Sequence, residues 1–405
     1  MSVDQTSMPA RPAATADWVD VAAMLRDPYD TYRRLRELGP VVWVPALNRY
    51  LAVSFAACSA IEADQETFSA SVRGSSALMA RALGAQPMLR KDDPEHASER
   101  TAVNSCLRPR SIKTNWLPLF ERNAETCLAG LVERGPDDAD LNRDFAAPFA
   151  ARNLIDMLGL RGASPADLTR WSHAFIAGFA NLNDDPELWA RCAAARSEVD
   201  VLLDELIPHY RRTPDGSMTS ALVNGDQPEE SVRANVKLTI SGGLNEPQHM
   251  VTNLVWALSR HQRQRDHLLA NPSLWSATFD EAVRWLSPIG MYPRQTTREV
   301  VLDGVRLPAG AEVGVVVGAA NRDPAVFDRA DEFDLSRPKK PHLGFGAGTH
   351  LCAGHWAARI SIGEVAGPLL YRRLRGLGTD PRRTEQWQGW VFRGLTTLPV
   401  TWLPA

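Results

Sequence analysis

The stretch Phe345-Gly346-Ala347-Gly348-Thr349-His350-Leu351-Cys352-Ala353-Gly354 places one cysteine after a glycine-punctuated loop and directly before a helix. A thiolate at that point accepts backbone N–H groups from the loop and from the helix start, and both favour the anionic sulfur over the thiol. Gly346, Gly348 and Gly354 let the backbone fold tightly round the sulfur, and Phe345 can cover it from solvent. A buried, inert side chain is the commoner fate of a lone cysteine. Here, however, five residue types stand at fixed positions in the pattern FxxGxHxCxG, which points instead to a shielded thiolate kept as a metal ligand.

Upstream lies Glu281-Ala282-Val283-Arg284. Positions three apart share a helix face, so this carboxylate and guanidinium can pair and together hold the cysteine loop. Alone the spacing carries no weight, because surface helices contain it often. It gains weight by preceding Asn321-Arg322-Asp323-Pro324, Phe333-Asp334-Leu335-Ser336-Arg337 and the cysteine loop. From Tyr29 to Trp402 the chain resembles the cytochrome P-450 family, with the cysteine loop in the place of its haem-binding loop. The resemblance implies a mainly α fold with a small β-rich lobe, a long central helix over the haem, and a cysteine-ligand loop before the last long helix. It implies one catalytic domain over residues 17–405, after a flexible N-terminal arm over residues 1–16. The implied cofactor is haem b (iron protoporphyrin IX), with Cys352 on the iron. Thiolate ligation pushes electron density onto a haem and favours O–O cleavage. Arg337 is the implied third member of the Glu281–Arg284 cluster.

The bulk properties agree. A chain of 405 residues with 44% hydrophobic and 23% charged residues can bury a large core. A net charge of −3 leaves no basic stripe for nucleic acid. Five scattered cysteines without CxxC spacing fit a reducing, cytoplasmic compartment better than a disulfide framework. No secretory leader and no apolar run of transmembrane length is visible, so neither export nor a membrane anchor is expected. Along the chain, Tyr29 to Leu38 reads as a helix ending at Gly39-Pro40, and Val41–Val44 and Arg49–Val53 read as a hairpin. Helical periodicity dominates from Ser54 to Pro288, with one long helix from Glu230 to Arg260. Strands are expected at Glu299–Leu302 and Glu312–Val317. A last helix is expected from Ala353 to Leu374, kinked at Pro368.

The two haem propionates need cations or donors. His96 and Arg100, four apart on a helix after Pro94, resemble the family's HxxxR clamp, and Arg294 and His350 fall on further propionate positions. The remaining histidines show no metal-ligand spacing, and His249, His261 and His267 read as helix-surface residues. Within the long helix, Ser241-Gly242-Gly243-Leu244-Asn245-Glu246-Pro247 stands where most family members carry an acid followed by an alcohol. A carboxyl can relay protons, whereas an amide only orients a water, so Glu246 is assigned proton handling and Asn245 its positioning. Pro247 lacks an N–H and should bend the helix. The adjacent glycines should let the backbone approach the haem face.

Amide-Glu-Pro, together with Gly389-Trp390-Val391-Phe392-Arg393-Gly394-Leu395-Thr396, resembles a group of P-450s that includes aromatic O-demethylases. On that basis Phe392 and Phe179 face the substrate ring, Leu83 takes the place of a third aromatic, and Leu238, Gly242 and Ile289 complete the wall. The implied reaction is insertion of one oxygen atom of O2 into a C–H bond of a small apolar, methoxy-aromatic substrate. Electrons would come from a separate ferredoxin and ferredoxin reductase. Arg108, Arg110, Lys113, Lys339 and Lys340 offer a basic docking face. Hydroxylation of a larger natural-product intermediate, peroxide use, and haem sensing without turnover are the alternatives.

Overall fold

The computed structural model describes residues 11–403. Its backbone is mainly helical, and the longest helix, Glu229–Arg260, is buried along much of its length. Helices Ala147–Leu158 and Pro165–Phe179 pack against it, as does Trp275–Leu286, which carries the Glu281–Arg284 pair. Long apolar side chains from all of them join one core. The central helix runs unbroken through Pro247. No helix among the described residues is long and apolar enough to cross a membrane.

The β lobe is a six-stranded sheet in the order Ala14–Thr15, Val41–Val44, Arg49–Ala52, Glu312–Val315, Tyr292–Thr296, Phe68–Ser69. The expected hairpin forms, with Val41 opposite Ala52 and Val44 opposite Arg49. Its turn closes through Asn48, whose φ of 49° suits a residue that tolerates the left-handed region. Tyr292–Thr296 lies between Glu312–Val315 and Phe68–Ser69, and so inserts Arg294 into the lobe. The sheet carries its own apolar cluster beneath the helix Phe55–Ala63.

Two expectations about the backbone need correction. Of the arm assigned to residues 1–16, residues 1–10 lie outside the described residues. Residues 11–16 are not a free arm: the Arg11 N–H donates to the Gly304 carbonyl at 3.0 Å, Ala14–Thr15 pairs in parallel with Val42 and Trp43, and Ala16 is fully buried. An edge strand of two residues shows no periodicity in sequence, so nothing in a polar, Pro-rich start reveals it. The last helix begins at His355, not Ala353. It passes through wide turns over Arg359–Ala366 that run up to Gly367-Pro368, and ends at Arg373. Such turns absorb the hydrogen bond that proline cannot donate.

Candidate active site

The cysteine loop is fixed from both sides. The Cys352 N–H donates to the Phe345 carbonyl at 2.8 Å, closing the loop on itself. Gly348 has φ 60°, and a Cβ there would stand 2.1 Å from the Glu62 carbonyl oxygen, so only glycine fits. Gly354 lies against the sulfur, 4.0 Å from where its Cβ would be. Phe345 packs beside Phe279, with the Arg359 guanidinium 4.6 Å from its ring centre.

Behind the loop sits the ionic cluster. Arg284 grips Glu281 through two hydrogen bonds of 2.7 Å, and Arg337 Nε reaches the same carboxylate at 3.2 Å. Both Glu281 and Arg284 are buried. The Arg284 guanidinium also donates to the carbonyls of Asn321, Ala330 and Glu332 at 2.7, 2.9 and 3.0 Å. Asn321 Oδ1 in turn accepts the Leu343 N–H at 2.7 Å, two residues before Phe345. The cluster therefore holds the loop through backbone groups rather than through the cysteine itself.

Two influences compete at the sulfur. Burial, the largest, pushes the Cys352 thiol up, while the Gly354 N–H and then Arg100 pull it down. Cys352 is nevertheless accessible by area, as is Gly242 in the largely buried middle of the central helix. Both hold if the sulfur borders an internal opening, and a metal cation there deprotonates a coordinating thiol outright. The charge of the Glu246 carboxyl on the central helix also raises the thiol.

The predicted propionate residues converge on one spot. The His96 and His350 rings lie 4.1 Å apart. Arg100 donates to the Leu351 carbonyl at 2.7 Å, and Arg294 is buried against Glu62 at 3.1 Å. Burial first, and then the charges of Arg294, His96, Arg90 and Arg100, push His350 down to about 3. Its Nε2 is buried without a partner. Arg90 was not foreseen: beside Lys91 it reads as a surface residue, yet it is buried, and burial and Arg294 push it down to about 9. Its Nε also has no partner. Three arginines and two histidines here share two paired carboxylates, Glu62 on Arg294 and Asp93 on His96 at 3.1 Å, so the cluster is still short of negative charge. That is the fit expected for a dianionic ligand. Glu62 was likewise unforeseen; it also accepts the Ala347 N–H at 3.2 Å, tying Arg294 to the cysteine loop.

On the central helix the two glycines divide their work. A Cβ at Gly243 would meet Leu154 at 2.8 Å, so this glycine serves helix packing, whereas Gly242 opens on accessible space. Asn245 is buried and its amide nitrogen lies 3.4 Å from Glu246 Oε1. Glu246 Oε2 is buried without a partner, and burial raises this carboxyl to about 7. The wall residues are less uniformly placed. Phe179, Leu238, Ile289 and Phe392 are half-buried, and Ile289 pairs with Phe392 across an antiparallel bridge. Leu83 is fully buried, and its carbonyl accepts Lys237 Nζ at 3.1 Å. His249, expected on the surface, is buried, because Gly394 leaves its ring the space a side chain would fill.

Residues 251–370 match the family described as Cytochrome P450. Cytochrome p450 CYP199A2 of Rhodopseudomonas palustris is 29% identical over 94% of this chain and 92% of its own. Mycinamicin IV hydroxylase/epoxidase of Micromonospora griseorubida is 31% identical over 78% of this chain and 79% of its own. The crystal structure of CalO2 superposes with a TM-score of 0.87 at 26% identity, covering 97% of this chain and all of that one. A glycine-rich cysteine loop, a long central helix and a cationic cluster beside the loop are the parts of a haem-binding protein. The chain belongs to the cytochrome P450 family, whose members bind haem b and act as monooxygenases using O2 and redox partners.

Proposed function

We propose that Cys352 is the haem ligand, that His96, Arg100, Arg294 and His350, with Arg90, hold the propionates, and that Glu246 handles the protons of oxygen activation. The observation that carries the last assignment is a buried carboxyl on the central helix with one free oxygen, raised to about 7, whose charge also raises the Cys352 thiol. Haem with a thiolate ligand supplies the activation of dioxygen. The chain's own residues do the rest. Gly242 leaves room beside the helix, Asn245 orients Glu246 through its amide, and Glu246 gives up a proton at Oε2 and is recharged from solvent. Near neutrality a carboxyl at about 7 is present in both forms, which suits a residue that must donate and recover a proton within one turnover.

For the substrate, the half-buried rings of Phe179 and Phe392 with Leu238 and Ile289 support a small apolar, methoxy-aromatic molecule. Two electrons and two protons with O2 convert Ar–O–CH3 to Ar–O–CH2OH and water, and the hemiacetal collapses to the phenol and formaldehyde. A larger natural-product substrate is the second reading. It is favoured by the aliphatic Leu83 and by the likeness to the Micromonospora mycinamicin IV hydroxylase/epoxidase. A panel of methoxyarenes and bulkier apolar molecules, scored for spin-state change on binding and for formaldehyde, separates the two. Stoichiometric formaldehyde supports O-demethylation, and binding confined to the bulky compounds overturns it.

Glu246→Gln keeps shape and hydrogen bonding but removes the titratable proton. Product formation should fall by about a hundredfold, the low end for general acid–base catalysis, with increased hydrogen peroxide release and unchanged substrate binding. The donating form is the acid. Coupled turnover of the wild type should therefore decline as pH rises through about 7, and the variant should lose that limb. A wild-type rate and wild-type coupling in the variant would remove Glu246 from the mechanism.

Electrons would enter from a ferredoxin docked over the cysteine loop. Arg108, Arg110, Lys113, Lys339 and Lys340 are all exposed, and Leu351 and Trp356, beside Cys352, are apolar and exposed. Exposed basic and apolar residues of this kind suit an acidic partner. Lys339→Glu with Lys340→Glu should lower the rate of reduction and weaken its dependence on ionic strength. Reduction insensitive to both would place docking elsewhere.

A further inference from the structure

Along one face of the central helix, Gly242, Glu246, His249 and Asn253 recur at i, i+4, i+7 and i+11, the spacing of a single stripe. The polar atoms of this stripe lack partners: Glu246 Oε2, His249 Nδ1 and both amide atoms of Asn253 are buried with no hydrogen bond. Buried polar atoms are nearly always paired, by protein or by water, so such a run marks a polar path inside an apolar core. His249 and Glu246 are one turn apart, which puts their Cβ atoms at about 5–6 Å, within reach of a bridging water.

The surroundings of His249 suit transfer rather than structure. The strand Gly394–Thr397 meets the ring with a glycine, and a Cβ there would lie 2.0 Å from the imidazole. Neighbouring Arg393 sends its guanidinium away, to the carbonyls of Gly389 and Arg26. From the helix Pro165–Phe179 the titratable group that acts on the ring is His173, which is exposed. Burial, the larger cause, and His173 lower His249 to about 4, so the ring is neutral at working pH. A neutral imidazole accepts at one nitrogen and donates at the other.

We propose that His249 carries protons from the surface at His173 to Glu246. The inference rests on the assignment of Glu246 made above. After Glu246 has given up its proton, the carboxylate takes one from a ring N–H of His249 in concert with protonation of the other ring nitrogen, so that no imidazolate forms. The other ring nitrogen takes a proton from solvent on the His173 side, and the ring is again neutral with its tautomer exchanged. No oxidant or reductant is needed, and His249, buried against Gly394, acts through Glu246, so it is a positioning and relay residue.

His249→Phe preserves a flat ring against Gly394 and removes both nitrogens; His249→Asn, which is smaller, serves as the second variant if the first fails to take up haem. One readout is independent of turnover: the infrared carboxyl band of Glu246 in the resting holoenzyme, followed after transfer to D2O and identified by its loss in Glu246→Gln. Exchange should be at least about tenfold slower in the His249 variants, product formation should fall by about tenfold with more peroxide released, and substrate affinity should be unchanged. In the Glu246→Gln background the His249 change should add nothing. Wild-type exchange and coupling in the His249 variants, with Glu246→Gln impaired, would overturn the relay and leave Glu246 in place, as would losses that multiply in the double variant. Full coupling in Glu246→Gln would remove Glu246, and the relay with it.

Discussion

Cys352→His protein should fold and retain part of its haem, yet form no product above the background of haem-free protein. The cationic cluster of Arg90, His96, Arg100, Arg294 and His350 does not include Cys352, so cofactor affinity survives in part. The loop survives too, because its closure is a backbone bond from Cys352 N–H to Phe345 and its anchor is Asn321 on Leu343. What is lost is the electron push of sulfur, which an imidazole does not supply. Haem content, thermal midpoint and product formation, measured together, check this. Product at the wild-type rate would show that the sulfur has no part in the chemistry.

Arg284→Ala should instead destroy the fold of the cysteine loop. It leaves the buried Glu281 carboxylate with Arg337 at 3.2 Å and the Asp334 N–H at 3.0 Å, and strips the donor from the Asn321 and Ala330 carbonyls, whereas the Glu332 carbonyl keeps Arg337 at 2.9 Å. Breaking a buried pair by removing one partner costs about 3–5 kcal/mol, and each orphaned buried acceptor adds about 1–3 kcal/mol. Domains are stable by about 5–15 kcal/mol, so little folded, haem-loaded protein should accumulate at 37 °C. Adding Glu281→Gln should not recover the loss, because Glu281 still pairs with Arg337 in the single variant and the second change takes that carboxylate from the buried Arg337. Urea unfolding of the purified variants measures both. A single variant with a wild-type midpoint would mean that the cluster does not hold the loop.

Most of the helical scaffold and the cysteine loop were legible because their signals are local. The FxxGxHxCxG pattern lies within ten residues, the Glu281–Arg284 pair is one helical turn, and the periodic stretch predicted to start at Glu230 begins at Glu229. What escaped was set by distant contacts. Arg294 rides on a strand that Pro293 argues against, and it exists because Tyr292–Gln295 pairs with Glu312–Val315. Its partner Glu62 is 232 residues away, and no spacing rule links them. Arg90 and His249 carry polar side chains that sequence reasoning assigns to the surface. Arg90 is buried beside Arg294 despite the repulsion of like charges, with its Nη1 on the Pro293 carbonyl at 3.5 Å, and His249 is admitted by the missing side chain of Gly394. The glycine pair on the central helix was read as one device, but Leu154 claims Gly243 and only Gly242 opens on the site.

The central claim is that Cys352 is a thiolate ligand to haem iron, and the optical spectrum of the reduced wild-type protein under carbon monoxide tests it most directly. Sulfur ligation predicts a strongly red-shifted Soret band, and Cys352→His should abolish it. A wild-type spectrum of the imidazole type alone would contradict the account.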